Sequence, residues 1–589
     1  MGIHTVEKIG GTSMTRFGEL MANILIGDRK GSELYNRIFV VSAYGGVTNL
    51  LLENKKTAEP GIYAAFAAGD NKAWQEKLES TRARLIELNR TFEELGLDQA
   101  AADDFVNERM DGVRSCLKNL MQLRSFGHFH RESYLPAARE LLSSVGEAHS
   151  AFNSTLILRK HGVNAVFVDL SGWKDQETGT MEETILHHMA GLNYAECMPI
   201  VTGYAKCAGG VMAKFDRGYS EITFSKLAVA THAREGIIHK EFHLSTGDPK
   251  LIGQENVRTI GHTNFDIADQ LADMAMEAIH PKASKAMELA DIPIRVCNAF
   301  DPQSPGTLIS KHYVSPNPRV DMICGRRDII AIEVFDPEMV GQSGYDYQVL
   351  ASFAKYKISY IAKNTNANTI THYVPARSKQ LNECLEELHR NFPGAAITTR
   401  EVAIIAVIGS NMKLPGFLSR AAKALAEAKI NVLALDQCMR QVNMQFIIER
   451  EDFEKAQKAL HHVPGWGRPG RRKNGVGGVF RLGGRSVIFD HVGRCGHGAR
   501  CGVGVFHAPH QYEGAVGGAG AFRRGDGLHL LCRTAGQREP GAARGVQRHD
   551  RRDHRDGGLF RRNAGGGGDR PDGAGAGESA RDQIGRGYG

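Results

Sequence analysis

A mainly parallel, doubly wound α/β sheet followed by two smaller α+β units is the fold class the sequence predicts, and three observations predict it. Short apolar runs such as Ile38-Phe39-Val40-Val41 and Pro199-Ile200-Val201-Thr202 are continuous rather than alternating, as strands covered on both faces are. Such runs alternate with helical patterns through roughly the first 300 residues, the order that builds a parallel sheet. Past residue 326 the order becomes strand, helix, strand, strand, helix, and it occurs twice at a spacing of about 75 residues.

The first predicted strand, residues 4–9, runs into Lys8-Ile9-Gly10-Gly11-Thr12-Ser13, which has the chemistry of a phosphate cradle. Two glycines without Cβ atoms let the backbone turn sharply and bring its N–H groups against an anion. Thr12 and Ser13 add hydroxyl donors, and a helix opening near Arg16 adds the partial positive charge of its N-terminus. From the strand end, Lys8 reaches a transferring phosphoryl group. The pattern is not a P-loop, since no Gly-x-x-x-x-Gly-Lys-Ser/Thr occurs in the chain. The plain alternative is a strand-to-helix turn carrying a surface lysine.

After the second strand, Ser42-Ala43-Tyr44-Gly45-Gly46 turns into a helix near Val47 and forms a second anion or substrate loop. Residues 55–140 are charged and helical, with Leu85, Leu88, Phe92 and Leu95 spaced for one face. No chemistry is read there. Residues 141–155 form a helix carrying Glu147 and His149, and strands at 163–170 and 199–204 lead to a corner at Gly209-Gly210. Phe215-Asp216-Arg217-Gly218-Tyr219-Ser220-Glu221 then precedes an amphipathic helix. Arg217 offers a planar fork for a carboxylate or phosphate. Ser220 is placed as its N-cap with Glu221 in the first turn. The Gly10, Gly45 and Gly209 loops all fall at carboxyl ends of strands, where ligands of such sheets gather.

Composition narrows the function classes. The net charge is +7, but from Gly465 onward there are 22 Lys+Arg against 11 Asp+Glu, so the first 464 residues stand at −4. A basic nucleic-acid surface on the folded body is therefore not expected. Nothing approaches the run of about 18 apolar residues that a membrane span needs, and neither a basic n-region nor an apolar run marks a signal peptide. The ten cysteines are scattered without metal-ligand spacing. Reduced thiols in the cytoplasm are the expectation.

The cradle at Lys8 to Ser13 has ordered company: Val40-Val41-Ser42-Ala43-Tyr44-Gly45-Gly46-Val47-Thr48-Asn49, Gly146-Glu147, Arg217-Gly218-Tyr219-Ser220-Glu221, Asp248-Pro249-Lys250, His280-Pro281 and Gly306-Thr307-Leu308-Ile309. In this order they resemble the aspartate kinases of the amino-acid kinase family. The resemblance implies an amino-acid kinase domain over residues 1–310 with a helical insertion at about 55–140. Two ACT-like βαββαβ domains, 326–395 and 396–464, would follow. It also implies transfer of a phosphoryl group from Mg²⁺-ATP to the β-carboxylate of L-aspartate. Lys8 and Arg217 would be catalytic. Ser42, Thr48, Glu147, Arg217 and Ser220 would hold aspartate, Glu147 at its ammonium and Arg217 at its α-carboxylate. Lys8, Gly10, Gly11, Thr12, Ser13, Asp248 and Lys250 would hold ATP, and no metal ligand is assigned. Lysine or threonine would be the effector at the ACT domains, which would also pair to form a homo-oligomer.

Four departures mark the branch. Ala148-His149 follows Gly146-Glu147. Gly-Tyr-Ser-Glu stands at 218–221 where the family more often has Gly-Gly-Ser-Asp. His239-Lys240-Glu241-Phe242-His243 stands where it has Thr-Asp-Val-Asp-Gly. Glu277 takes the place of a nucleotide-contacting lysine. An acid facing ATP repels it unless Lys240 or Lys250 compensates. This divergent pattern resembles the aspartate kinases associated with ectoine-producing bacteria. Two rivals remain: a kinase of the same fold with another acidic acceptor, and a catalytically weak amino-acid-binding regulator. Residues 465–589, with 34 of the 67 glycines and 21 arginines against the single Lys473, read as low-complexity disorder or a frameshifted segment. A chain stopped at Pro464 is expected to keep its fold, the alternative being a last strand around Val487-Ile488-Phe489.

Overall fold

The computed structural model describes residues 2–466, apart from 125, 127, 177–178, 216–217, 275 and 277–278, together with one hairpin beyond them. The first sheet is built from β1 (Thr5–Ile9), β2 (Arg37–Val41), β3 (Ala165–Val168), β4 (Met198–Thr202), β5 (Glu235–Lys240), β6 (His262–Thr263), β7 (Ile294–Asn298) and β8 (Thr307–Ile309). Their order is β3-β4-β2-β1-β5-β7-β8-β6, parallel except where β7 meets β8. Every residue of β1, β2 and β4 is buried. Continuous apolar runs thus do mark the covered centre of the sheet.

Alternation along β1 sends Glu7 and Lys8 to opposite faces. Glu7 is held by Arg37 of β2 at 2.7 and 3.1 Å and by His239 of β5 at 2.8 Å. Arg37 also donates to the Ile24 and Leu25 carbonyls at 2.8 and 3.1 Å. The orphan carbonyls at the end of the helical segment after the cradle are thereby satisfied. Burial pushes the Glu7 carboxyl up, but Arg37 and His239 outweigh it and hold it far below the usual carboxylate range.

The stretch expected as a helical insertion resolves into helices Ile62–Ala68, Asn71–Arg90 and Gln99–Arg124, after which Arg131–Lys160 carries Glu147. Leu85 and Leu88 lie on the second of these. Phe92 and Leu95 fall beyond its end, where the chain turns through Gly96 at φ 81°.

The second sheet comprises β9 (Arg319–Phe335), β10 (Ala362–Thr365), β11 (Thr369–Pro375), β12 (Ala396–Ser410), β13 (Val432–Asp436) and β14 (Asn443–Glu449), all antiparallel, in the order β10-β11-β9-β12-β14-β13. Two long strands change the expected division. Residues 328–335 of β9 and 396–402 of β12 belong with β10 and β11, under helices Tyr345–Lys355 and Leu381–Asn391. The other halves, 319–326 and 404–410, pair with each other. They complete a second four-stranded unit with β14 and β13, under helices Phe417–Glu427 and Phe453–His461. The fourth strand of the second unit thus precedes the first unit in sequence, and the boundary at 326 cuts through it. The helix Phe417–Glu427 opens after Gly416, whose φ is 101°.

The strand expected around Val487-Ile488-Phe489 is not needed to finish this sheet. Val479–Leu482 and Arg485–Ile488 pair with each other as the hairpin, and the rest of 467–589 lies outside the described residues. The packed body reaches two residues beyond Pro464. Trp466 is buried, stacks on Phe417 at 6.1 Å between ring centroids, faces Arg420 at 5.1 Å and accepts a hydrogen bond from Arg258 at 3.0 Å. Deleting a buried tryptophan side chain costs about 3–5 kcal/mol. Trp466→Ala and a chain stopped after Pro464 are therefore both expected to unfold several degrees lower, whereas a chain stopped after Trp466 keeps the parent midpoint. Thermal unfolding of the three measures it.

Candidate active site

The cradle is set by close backbone approaches. The helix expected near Arg16 opens earlier, at Gly11–Thr15 with Gly10 as N-cap. A Cβ on Gly11 would lie 2.5 Å from the Ala43 carbonyl oxygen, and one on Gly146 would lie 2.7 Å from the Ala43 Cβ. A Cβ on Gly203 would lie 2.7 Å from the Val41 carbonyl oxygen and 2.9 Å from the Ser220 Cβ. Only glycine lets these loops close on one another. The Gly45 amide donates to the Thr15 hydroxyl at 3.0 Å, which ties the second loop to the first.

These approaches enclose a cavity of about 380 Å³ lined by Lys8, Gly11, Thr12, Ser42, Thr48, Glu147 and Ser220. Seven residues singled out in the sequence, from four separate segments, therefore meet. Tyr44, Asn49, Lys55 and Tyr219 also line it. Lys55 lies in the stretch where no chemistry was read, and a charged insertion gives no sequence signal for one cation that folds back. Gly10 lies beside the wall, and Ser13 donates to Glu241 at 2.9 Å. Asp248 and Lys250 do not line the cavity. Asp248 caps the turn of helix Pro249–Ile252 by accepting from the Lys250 amide at 2.9 Å, and the Lys250 ammonium lies 5.8 Å from the Phe242 ring. Arg217 and Glu277 lie outside the described residues. Ser220 is not the N-cap; Gly218 is, and the Ser220 hydroxyl accepts from Ser42 at 3.3 Å.

Charge inside the cavity is arranged in pairs. The Lys8 ammonium is buried 3.6 Å from Glu221. Burial pushes the Glu221 carboxyl up, but Lys8, Lys240 and the His280 amide, which donates at 2.5 Å, outweigh it and hold it below its usual value. Lys240 thus supplies compensating charge here. Glu147 is buried in the Arg131–Lys160 helix and accepts from the Tyr219 hydroxyl at 2.8 Å through Oε1, while Oε2 is buried without a hydrogen bond. Burial pushes its carboxyl up to about 7 against the opposing pull of Tyr219 and Lys8. His149 has a structural position: its Nε2 is 2.7 Å from Asn89 of the insertion, its ring meets Tyr44 edge-on, and burial lowers it to about 3. His239 is the partner of Glu7, and His243 meets Asp301 at 2.8 Å.

One cavity thus brings a buried lysine and a glycine turn together with a buried carboxyl group and several hydroxyls. The comparisons agree with this geometry. Residues 4–298 match the amino acid kinase family and 405–463 the ACT domain. "Aspartate kinase Ask_Ect" of Stutzerimonas stutzeri is 48% identical over 462 residues, which span 78% of this chain and 97% of that protein. The aspartokinase of Candida albicans is 24% identical, with 77% and 89% covered. E. coli aspartokinase III in complex with aspartate and ADP superposes with a TM-score of 0.56 at 21% identity, covering 78% of this chain and 99% of that one. The Clostridium acetobutylicum aspartate kinase superposes with a TM-score of 0.58 at 19% identity, covering 77% and 99%. The chain belongs to the amino acid kinase family and, within it, to the aspartate kinases. Among the described residues no helix is long and apolar enough to cross a membrane.

Gly11→Ala tests the loop closure. The added methyl group must push the cradle and the Ala43 loop apart, and a misplacement of about 1 Å at a reacting centre costs ~10²-fold. The expected result is a fall of that size in kcat/KM with unchanged far-ultraviolet circular dichroism.

Proposed function

We propose that the cavity transfers the γ-phosphoryl of ATP to the β-carboxylate of L-aspartate and so forms 4-phospho-L-aspartate for aspartate-derived amino-acid synthesis. The observation that carries this is the meeting of Lys8 and the Gly11 turn with Glu147 in one cavity. An acceptor carboxylate is already ionised, so the reaction needs no general base. Catalysis then rests on position and on neutralising charge. In this reading Lys8, fixed by Glu221, stabilises the transferring phosphoryl, with the Gly10, Gly11 and Ser13 amides and the Thr12 hydroxyl around it. Glu147 takes the ammonium of aspartate, Arg217 its α-carboxylate, and Ser42, Thr48 and Ser220 position the rest. Asp248 and Lys250 are assigned to the nucleotide side. Mg²⁺ would neutralise the phosphates, and the oxygens of Glu241 and Ser13, adjacent to each other next to Gly10, are hard donors of the kind it takes.

The identity to the S. stutzeri protein supports placing the chain in the divergent branch that the ectoine association marks. The C-terminal sheet is assigned to self-association and to an amino-acid effector, lysine or threonine, at the turn before helix Tyr345–Lys355. Nε2 of buried His372 lies 3.8 Å from Oδ1 of Asp346 in the first turn of that helix, and neither atom makes a hydrogen bond. E. coli aspartokinase III in complex with lysine and aspartate superposes with a TM-score of 0.57.

Hydroxylamine trapping of the acyl phosphate, with ATP and a panel of acidic amino acids, tests the reaction; turnover of glutamate in preference to aspartate would overturn it. Lys8→Ala is expected to lose ~10²–10³ in kcat, as removal of one preorganised charge donor does. Glu147→Gln is expected to raise KM for aspartate with kcat nearly unchanged. Activity titrated against lysine and threonine reads the effector.

A further inference from the structure

We infer that Tyr219 is the positioning residue for the substrate ammonium: its hydroxyl bonds Oε1 of Glu147 and fixes that carboxylate at the cavity wall. The inference rests on the reading of Glu147 as the ammonium's partner. Tyr219 replaces a residue that the family more often keeps as glycine, so the sequence pattern gives no role for it.

Four residues build the arrangement. Glu140 and Glu147 lie seven residues apart on the Arg131–Lys160 helix, two turns along one face. The Tyr204 hydroxyl donates to Glu140 at 2.7 Å and the Tyr219 hydroxyl donates to Glu147 at 2.8 Å. The two tyrosine rings meet edge to face at 5.6 Å. Glu140 also accepts from the Met212 amide at 2.8 Å. Met212 and Tyr219 are therefore both tied to the helix that carries Glu147. Tyr219 itself is 2% exposed and opens helix Tyr219–Ala230, so its ring has little freedom to leave.

The consequence is chemical. A carboxylate with both oxygens open could accept an ammonium in several poses. One whose Oε1 is taken by a fixed hydroxyl and whose Oε2 is buried accepts it in fewer. The same hydrogen bond favours the ionised carboxylate against burial. The groups facing Glu147 are Lys8 on β1, Tyr44 and Lys55 across the cavity, Tyr204 after β4, and Tyr219. Lys8 is committed to Glu221, and Tyr219 makes the one side-chain hydrogen bond to Glu147 among the described residues.

Tyr219→Phe keeps the ring and removes the hydroxyl. A hydrogen bond to a charged group carries about a tenfold or larger effect. KM for aspartate is therefore expected to rise about tenfold below pH 7, while kcat stays within about twofold. The carboxyl, already raised to about 7, moves higher without its donor. The ratio of variant to parent KM should then shrink as pH rises and ionises Glu147 in both proteins. Succinate, which lacks the ammonium, should compete with aspartate equally well against parent and variant. An unchanged KM, a ratio constant with pH, or a succinate Ki that rises in step would each overturn the inference. So would the same shift of the pH profile in Tyr204→Phe, which would make the effect one of packing. Glu147→Gln separates the two levels. If it leaves KM unchanged, the ammonium reading itself fails; if it raises KM and Tyr219→Phe does not, only this inference fails.

Discussion

Ala43 is the point on which the catalytic half of the structure closes. Its carbonyl oxygen leaves no room for a side chain at residue 11, and its methyl group leaves none at residue 146. The phosphate cradle and the helix of Glu147 both approach the same residue of the second loop. Positions from three segments are thereby set against each other by contact rather than by long side chains. A cavity built this way is stiff, because moving one wall requires moving backbone that is itself packed. The ionisable groups can then be few and still be well placed.

Charge is distributed across β1 by the alternation of its side chains. Glu7 and Lys8 are neighbours in sequence and buried on opposite faces, so each needs its own partners. Arg37 and His239 supply them on one face and Glu221 on the other. Breaking a buried pair costs about 3–5 kcal/mol, because the remaining charge is left without compensation. This explains the family departure at His239, which looks like the loss of a nucleotide residue and is instead a strand residue satisfied inside the sheet. Lys240, next along β5, belongs to the Glu221 side.

Most of the catalytic fold was legible because its signals are local. Continuous apolar runs marked β2 and β4, and glycine pairs marked the turns after them and after β1. Lys8, Ser42, Thr48, Glu147 and Ser220 could be named because each sits beside such a turn or in a family motif. What could not be read depends on distant contact. Lys55 folds in from an insertion whose composition is that of any solvated helix. Asp248 reads as a ligand by motif, and its oxygen is used in a helix cap. The hydroxyl of Tyr219 finds Glu147 across 72 residues. Trp466 follows a proline at the edge of a glycine-rich tail, and only its stack on Phe417 shows that the fold continues to it.

The C-terminal sheet shows the same limit on a larger scale. Two repeats in sequence suggest two beads, but β9 and β12 each run through both units, so neither unit closes its sheet without a strand the other begins. The second unit also touches the catalytic half. Arg440 meets Asp266 at 2.7 Å and Asn443 donates to Gln270 at 3.0 Å, both on helix Phe265–Asp273. That helix packs on Pro281–Leu289. The residue capping Pro281–Leu289 is His280, whose amide donates to Glu221, the partner of Lys8. An effector alters activity only if it binds two states unequally. The shared strands make a change in one unit a strain on the other, and this chain of contacts gives that strain a physical route to Lys8.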